Sequence, residues 1–546
     1  MEFEEQTALN ATGGWKSIFE GVNCQRLETN SFREYLPKQR WFAGKSRHIK
    51  TTTIRDWAPF HSPRSAVALV EVQFDDGGSE VYLLPLAISY ADTADELQRT
   101  SPNAVVAAII SGEGAGLLHD GVFDESTCQE LLSFIENERE LKSHHGHIRG
   151  LRGEAFEALR GTLGAPFSVR RGSAEQTNTS ILYGDRFILK MLRRQEVGIN
   201  PDAEIGRYLT EKANFGQVPP FAGSMEYRPS ADGESSTLAM LQGFVANEGD
   251  GWKWTTEELD RYFETSAPLP FPEELRDGTQ DPVELSERPA LLLARDHVGI
   301  YLDSAIVLGR RTAELHLALA SATDDAAFAP EPLTAGDLRT LLADLRQHAA
   351  RVFDVLKGRL PYLPDEVVEI AAAVLSRRTQ ILEHFDDQRP ETFRTWRMRI
   401  HGDYHLGQVL KVKTDFVIID FEGEPARSLP DRRAKQSPLK DVAGMLRSFS
   451  YAAYSSLIRF SARHPTDIAS LEPWAQLWVR CVAAEFLRAY RETARGAEFL
   501  PIDSAEFRRM LDVFLVDKAL YEVLYELNAR PAWVRIPLMG IISLQL

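Results

Sequence analysis

The sequence predicts an α+β protein with a β-rich N-terminal part, a small β-dominated part and a large helical C-terminal part. Three patterns lead to this prediction. Apolar and polar residues alternate near the N-terminus, a second group of strand-like segments occupies residues 167–245, and helical periodicity dominates from Glu257 onward. Because a single hydrophobic core stops growing at roughly 250–300 residues, a chain of 546 residues is expected to form two or three domains.

The first predicted domain, residues 1–150, is a β-rich unit with helices. Between Thr51 and Ile88 the chain contains three alternating segments, TTTIRDW, SAVALVEVQF and SEVYLLPL. The run Asp-Asp-Gly-Gly between the last two is typical of a tight turn, so antiparallel hairpins are predicted. Residues from Asp92 to Arg160 are predicted to be mostly helical.

Composition excludes several classes of partner and site. The net charge of −17 would repel a nucleic-acid backbone. No apolar run of about 18 residues is long enough to span a bilayer, and the acidic N-terminus is unlike a secretory signal, so a cytoplasmic protein without a membrane partner is expected. Three widely spaced cysteines predict neither a disulfide framework nor a zinc site.

The second predicted domain, residues 151–246, carries a lysine in an otherwise apolar strand. This residue is Lys190 in the segment FILKML, and a predicted helix with Glu204 in its first turns begins at Pro201. A lysine paired with a glutamate is how kinase-like sites orient the lysine toward nucleotide phosphates. The alternative is a solvated lysine on an edge strand and a glutamate on a helix surface.

A loop between two predicted strands of this domain is a candidate cover for the phosphates. It runs from Gly172 to Thr179, and its predicted nucleotide contacts are Ser173, Gln176 and Asn178. An ordinary hairpin turn is the alternative.

The third predicted domain, residues 247–546, contains the strongest motif, HGDYHLGQ, followed by the segment VLKVKTDFVIIDFE. The β-forming residues on either side of Lys413-Thr414-Asp415 predict a hairpin centred near Thr414. Gln408 and Asp420 are equally far from that centre, so they are expected to lie opposite one another. An amide oxygen and a carboxylate there suit Mg²⁺, and Asp403 is expected at the same place as the base that accepts a hydroxyl proton.

This motif resembles the catalytic and metal loops of aminoglycoside-phosphotransferase-like kinases, which are distant relatives of protein kinases. The resemblance implies a two-lobed protein-kinase-like fold that binds ATP and Mg²⁺, with Asp403 as base and Asp420 as metal ligand. His405 is predicted to assist catalysis, and Glu422 to bind the metal. Gln408 departs from the asparagine that is usual in the family.

Further segments resemble maltokinases in particular. They include QRWFAGKSR near the N-terminus, EQTNTSILYGDRFILKMLRRQEVGINPDAEI, SPLKDVAGMLRSFSYAA and KALYEVLYELNARPAWVRIPL. Asp441, in the third of these, is expected to cap a helix or to brace the catalytic loop. The proline- and acid-rich residues 268–289 are predicted to be an ordered surface loop or short linker.

The last segment predicts a sugar-binding face. On a helix, Lys518, Tyr521 and Tyr525 cluster away from the apolar stripe formed by Leu520, Val523, Leu524 and Leu527. Aromatic rings and a lysine suit a disaccharide, and the resemblance implies that residues matching these three line the maltose site. The alternative is a second buried face.

The resemblance implies phosphorylation of maltose to maltose 1-phosphate, in support of α-glucan synthesis. A kinase of another sugar or amino sugar, such as glucosamine, is the alternative enzyme, and a pseudokinase that acts as a binding module is the alternative outside catalysis. A separate trehalose synthase is the expected partner that supplies maltose.

Overall fold

The chain forms two compact units, Met1–Ala246 and Asn247–Leu546. The computed structural model describes residues 8–161, 166–172, 177–230, 233–275, 281–288, 292–321, 324–386, 395–463 and 468–544. Ser173 and Gln176 of the predicted phosphate-covering loop lie outside these residues. The α+β fold class is confirmed, and the further division of the first unit at residue 150 stays a prediction.

The first unit is dominated by strands. Its described strands, in chain order, are β1 (Leu9–Asn10), β2 (Ile49–Pro59), β3 (Ser65–Phe74), β4 (Ser79–Tyr90), β5 (Val105–Ser111), β6 (Gly114–Asp120), β7 (Glu140–Lys142), β8 (His147–Arg152), β9 (Val169–Arg171), β10 (Thr179–Tyr183), β11 (Phe187–Met191), β12 (Arg194–Gln195), β13 (Phe221–Arg228) and β14 (Ser236–Gly243). Its described α-helices are α1 (Trp15–Phe19), α2 (Gly21–Arg26), α3 (Phe32–Tyr35), α4 (Ala91–Thr100), α5 (Glu125–Glu136), α6 (Phe156–Arg160) and α7 (Pro201–Glu211).

These strands form two sheets. The first has the order β1-β5-β6-β4-β3-β2, and β12 also pairs with β4. The second has the order β7-β8-β13-β14-β11-β10-β9. The predicted antiparallel pairing of β2, β3 and β4 is confirmed, and β11, which carries Lys190, is an inner strand of the second sheet.

Strand β3 links two hydrophobic cores because its alternate residues point to opposite faces. Ala66, Ala68 and Val70 belong to a core built with the N-terminal helices. Val67 and Leu69 belong to a second core, which the second sheet and α5 share. This explains why β3 is buried almost throughout.

The prediction of mostly helical structure from Asp92 to Arg160 is wrong in part. Helices α4 and α5 form there, but β5 to β8 lie between and after them. Val105 to Ile110 is rich in β-branched residues, and the glycines that follow make the turn of the β5–β6 hairpin, in which Ser111 pairs with Gly114. The β-branched residues and the glycine turn therefore form a hairpin where the sequence pattern had predicted helix.

The second unit is mainly helical. Its described helices are α8 (Gly251–Ser266), α9 (Pro282–Glu287), α10 (Leu292–Val298), α11 (Tyr301–Leu319), α12 (Ala335–Arg359), α13 (Asp365–Ser376), α14 (Arg378–Asp386), α15 (Leu429–Arg433), α16 (Leu439–Arg463), α17 (Ile468–Thr493), α18 (Ser504–Ala529) and α19 (Arg535–Ser543). Two short antiparallel pairs accompany them, β15 (Glu331–Pro332) with β16 (Trp396–Arg397) and β17 (Val409–Val412) with β18 (Asp415–Ile418).

The predicted loop at residues 268–289 contains a helix at its end. Asp281 accepts hydrogen bonds from the backbone N–H groups of Val283 and Glu284, and Pro282 occupies the first turn of α9. An N-cap aspartate followed by proline is a strong helix start, so this part of the prediction is wrong. Within the described ranges, no helix is long and apolar enough to cross a bilayer.

Candidate functional site

The catalytic loop of the second unit lies between β16 and β17 and is held by one buried carboxylate. Asp441, in the first turn of α16, accepts hydrogen bonds from the backbone N–H groups of His401 at 2.8 Å and Gly402 at 2.9 Å. His316 Nε2 lies 3.0 Å from the same carboxylate. Gly402 has φ +87°, a conformation that favours glycine. Asp441 therefore braces the loop, which was one of the two roles predicted for it.

The charge of Asp441 is maintained although the residue is fully enclosed. Burial would raise the pKa of a carboxyl group, but the hydrogen bond and charge of His316, with His401 and Gly402, hold the pKa of Asp441 below its usual value. An ionised acceptor makes stronger hydrogen bonds to backbone N–H groups than a neutral one. The loop geometry consequently depends on this buried charge.

Asp403 of this loop is half-buried and lies against α18. Lys518 Nζ donates a hydrogen bond to Asp403 Oδ1 at 3.1 Å, and His405 Nε2 lies 3.9 Å from Oδ2. Burial opposes ionisation of Asp403, but the charges of Lys518 and His405 hold its pKa below the usual value. Burial lowers the pKa of His405, so this histidine is neutral near pH 7. The arrangement provides an ionised carboxylate at the tip of the loop.

Two further charged residues complete the surroundings of Lys518. Glu424 Oε1 lies 3.7 Å from Lys518 Nζ, and Glu424 Oε2 lies 3.7 Å from Lys440 Nζ. Burial lowers the pKa of Lys440. The sequence prediction missed Glu424 and Lys440. The signal for Glu424 was its position two residues after Glu422 in the motif, but an acid in a glycine-containing turn is common on protein surfaces.

The hairpin β17–β18 brings together the predicted metal ligands Gln408 and Asp420. Gln408 Nε2 donates a hydrogen bond to Asp420 Oδ2 at 2.9 Å. The register pairs Val409 with Ile418, so the turn is centred between Lys413 and Thr414, half a residue before the predicted centre. This register places Ile419, rather than Asp420, opposite Gln408, but the hydrogen bond confirms that the two predicted side chains lie close together.

The chemistry of this residue pair fits a hard cation. A carboxylate and an amide oxygen are ligands that Mg²⁺ accepts, and a half-turn of the Gln408 amide presents its oxygen. Asp420 has φ +68°, which is uncommon for a residue other than glycine. Such strained backbone is often retained where a side chain must be aimed at a functional group. Glu422, the third predicted ligand, is partly buried two residues further along.

In the first unit, Lys190 is a buried residue of an inner strand. Its Nζ donates a hydrogen bond to Asp202 Oδ2 at 3.1 Å. The alternative of a solvated lysine on an edge strand is therefore wrong. Asp202 follows the N-cap Asn200 and Pro201 at the start of α7, and the sequence prediction missed it. Glu204 lies two residues further along the same helix, and its pairing with Lys190 stays a prediction.

Only part of the predicted phosphate-covering loop is described. Strands β9 and β10 on its two sides pair antiparallel, with Arg171 opposite Ile181. Asn178 is partly buried immediately before β10. Contacts of this loop with a nucleotide stay a prediction.

The predicted sugar-binding face of α18 is not part of the helical core. Leu520, Val523 and Leu527 are buried, whereas Lys518 and Tyr521 are partly exposed and Tyr525 is 53% exposed. Lys518 Nζ lies 5.0 Å from the centre of the Tyr521 ring. The alternative of a second buried face is wrong. The structure brings Lys518 and Tyr521 to Asp403, while Tyr525 lies one turn further along the helix.

The chain is similar to known sugar kinases. Residues 35–124 match the maltokinase N-terminal cap domain. A glucosamine kinase of Streptacidiphilus jiangxiensis is 25% identical over 462 residues, which are 84% of this chain and 88% of the relative. A glucosamine kinase of Mycolicibacterium smegmatis is 24% identical over 371 residues, which are 67% of this chain and 76% of the relative.

Solved structures agree with the kinase-like fold. A glucosamine kinase in complex with glucosamine, ADP and inorganic phosphate has a TM-score of 0.60 at 19% identity, and the match covers 94% of this chain and 99% of the other. A second glucosamine kinase structure has a TM-score of 0.57 at 20% identity, covering 91% of this chain and 92% of the other. The chain is similar to sugar kinases, and the predicted resemblance to maltokinases is confirmed by the match of residues 35–124 to the cap domain.

Proposed function

We propose that this chain, a kinase with a maltokinase-type N-terminal cap, transfers the γ-phosphoryl group of ATP to a hydroxyl group of maltose. The contact between Lys518 and Asp403 carries this proposal. It places a helix face with an aromatic ring and a cation beside an ionised carboxylate, which is what binding and activating a sugar hydroxyl require.

Asp403 is proposed to accept the proton of the attacking hydroxyl group. Its lowered pKa keeps it ionised near neutral pH. Lys518 stabilises that charge and is itself a hydrogen-bond donor for a sugar oxygen. His405, neutral near pH 7, is proposed to orient the carboxylate or the sugar without adding positive charge.

The remaining predicted residues are proposed to bind ATP and Mg²⁺. Gln408, Asp420 and Glu422 would hold the metal ion, which supplies positive charge to neutralise the phosphates. Lys190, held in place by Asp202, would bind a phosphate oxygen. The predicted nucleotide contacts are completed by Glu204, Ser173, Gln176 and Asn178.

Maltose 1-phosphate is the proposed product, for use in α-glucan synthesis, with maltose supplied by a separate trehalose synthase. The cap domain and the Lys518–Tyr521 face support this acceptor. Glucosamine is the second candidate because both of the relatives described above are named glucosamine kinases. At 25% and 24% sequence identity, this chain and the two relatives can differ in the sugar that they phosphorylate.

Comparison of the two acceptors on the purified full chain tests the proposal. ATP, Mg²⁺ and either maltose or glucosamine are supplied, and kcat/KM is measured for each, with the phosphorylated product identified by ³¹P NMR. We expect kcat/KM for maltose to exceed that for glucosamine by about tenfold or more, since a second sugar ring adds contacts that a monosaccharide cannot make. The Asp403→Asn variant is the control for background ATP hydrolysis.

Failure of the acceptor proposal and failure of the kinase proposal would give different results. Phosphorylation of glucosamine but not maltose would overturn the acceptor and leave the kinase proposal intact. Absence of phosphoryl transfer to any sugar tested, from a folded protein, would contradict the kinase proposal itself.

A further inference from the structure

The helical unit contains a cavity built from residues that the proposed reaction does not use. It has a volume of about 530 Å³ and lies among α16, α17, α18, α19 and the start of α9. Its apolar wall includes Leu446, Val479, Ala483, Leu487, Leu511 and Leu515. A cavity of this size accommodates a small organic molecule, and its apolar wall favours a ligand with a hydrocarbon part.

One carboxylate in this cavity has no hydrogen-bond or ion-pair partner among the described residues. Asp512, on the turn of α18 next to Leu511 and Leu515, lines the cavity and makes no hydrogen bond or ion pair with any residue that the structure describes. Burial, together with the charge of Asp281, raises the pKa of Asp512 to about 7. A largely buried carboxyl group without a partner is costly, so it is expected to have a use.

The guanidinium group whose charge acts on Asp512 also contacts another carboxylate. Arg508 Nε lies 3.0 Å from Asp281 Oδ2. When Asp512 is ionised, it adds a second negative charge near this ion pair. An incoming cation would offset the added charge.

The other charged and titratable groups of the lining lie on neighbouring helices and have contacts of their own. Arg447 of α16 is 2.7 Å from Glu522, and Arg480 of α17 donates from Nε to the carbonyl of Gln476 at 3.3 Å. Tyr454 of α16 is a further titratable group, and burial raises its pKa to about 12. The lining residues of α19 are uncharged. Neither arginine is among the charges that influence the pKa of Asp512 most strongly.

We infer that this cavity binds a small organic cation, with an ammonium group on Asp512 and a short hydrocarbon body against the leucine and valine side chains of the wall. The ammonium group donates hydrogen bonds to the otherwise unpartnered carboxylate, and the hydrocarbon part buries the apolar wall. Binding is expected to strengthen with pH, because Asp512 must lose its proton to attract the cation.

Three probes of equal length that differ only in the head group test this inference. They are n-hexylammonium, hexanoate and 1-hexanol, and binding to the full chain is measured by isothermal titration calorimetry at about pH 8.5 and about pH 5.5. We expect n-hexylammonium to bind more tightly than either other probe at the higher pH, and to lose about tenfold in affinity at the lower pH. Equal or tighter binding of hexanoate or hexanol, or no binding of n-hexylammonium at the higher pH, would overturn the inference.

Two variants locate the binding. Asp512→Asn removes the charge at nearly constant shape and should abolish the preference for the ammonium probe. Ala483→Leu, on α17, fills part of the cavity without changing its charge and should weaken binding of all three probes. This second variant tests the site even if Asp512→Asn does not fold. Asp403→Asn is the matched control, since an ammonium group that binds at the catalytic carboxylate would respond to that variant instead. Unchanged affinity in both cavity variants would refute the site.

Discussion

The two aspartates at the catalytic loop differ in what sets their charge. Asp441 is enclosed and ionised because backbone N–H groups and His316 surround it. Asp403 is ionised mainly because Lys518 of α18 contacts it, with a smaller effect of His405. The first carboxylate therefore fixes backbone geometry, whereas the second remains accessible for proton transfer.

Replacement of Asp403 by asparagine should lower kcat by about 10²–10⁴-fold, because an amide cannot accept the hydroxyl proton. The affinity for ATP should stay nearly unchanged. Since Lys518 holds the pKa of Asp403 below its usual value, the wild-type rate should show no loss from protonation of this residue between about pH 5 and about pH 8. Steady-state kinetics over this pH range, with nucleotide binding measured separately, checks both statements. A variant with wild-type kcat would exclude Asp403 as the base.

At the scale of single residues, sequence reasoning identified candidate residues that belong to a motif. It missed residues that contact those candidates, namely Asp202 and Glu424. Gln408 and Asp420 could be predicted to lie together because spacing in a hairpin fixes their relation, and Asp403 was predicted from the motif that precedes the hairpin. Asp202 and Glu424 were missed because each lies within four residues of another acid, and spacing alone cannot select which acid contacts a lysine.

Among the structural elements, the hairpin β17–β18 shows what can be predicted from local sequence alone. Two short β-forming segments and a turn were sufficient to predict the hairpin and the approach of Gln408 to Asp420, although its register is shifted by one residue. The turn is shorter than predicted because Asp415 joins the second strand opposite Val412, and Lys413 takes φ +54°. The strands β5 to β8 were mispredicted as helix although β5–β6 and β7–β8 are local hairpins, and β5, β6 and β8 also pair with strands far away in the chain.

Asp420 and Gln408 should differ in their importance for metal binding. Asp420→Ala removes an anionic ligand where phosphate charge must be neutralised, and kcat should fall by about 10³-fold or more. Gln408→Ala removes a neutral ligand that water can replace, so a loss of about tenfold or less is expected. Initial rates measured over a Mg²⁺ titration at fixed ATP concentration compare the two variants. A milder effect of Asp420→Ala than of Gln408→Ala would reverse the assignment of the main ligand.

For the whole molecule, the sequence predicted the succession of β-rich and helical regions but not how the β-rich part shares its cores. Helical and strand periodicity identify which residues are buried. They do not show that β3 contributes alternate residues to two cores, or that the remote strand β12 joins the first sheet. Contacts between residues far apart in sequence carry no local signal, which is why this organisation required the structure.

In the proposed site, the acceptor is held where two distant segments of the helical unit meet, the loop that carries Asp403 and helix α18. If the sugar lies on the Tyr521 ring beside Asp403, Tyr521→Ala should raise the KM for maltose by about tenfold, with a smaller change in kcat and none in the KM for ATP. Tyr362→Ala is the matched control, because Tyr362 is 78% exposed and has no role in the proposed site. Lys518→Ala should affect both KM and kcat, since Lys518 also contacts the base. If KM for maltose is the same in Tyr521→Ala and the control, the sugar does not lie on this helix face, and the acceptor must be held by other residues around Asp403.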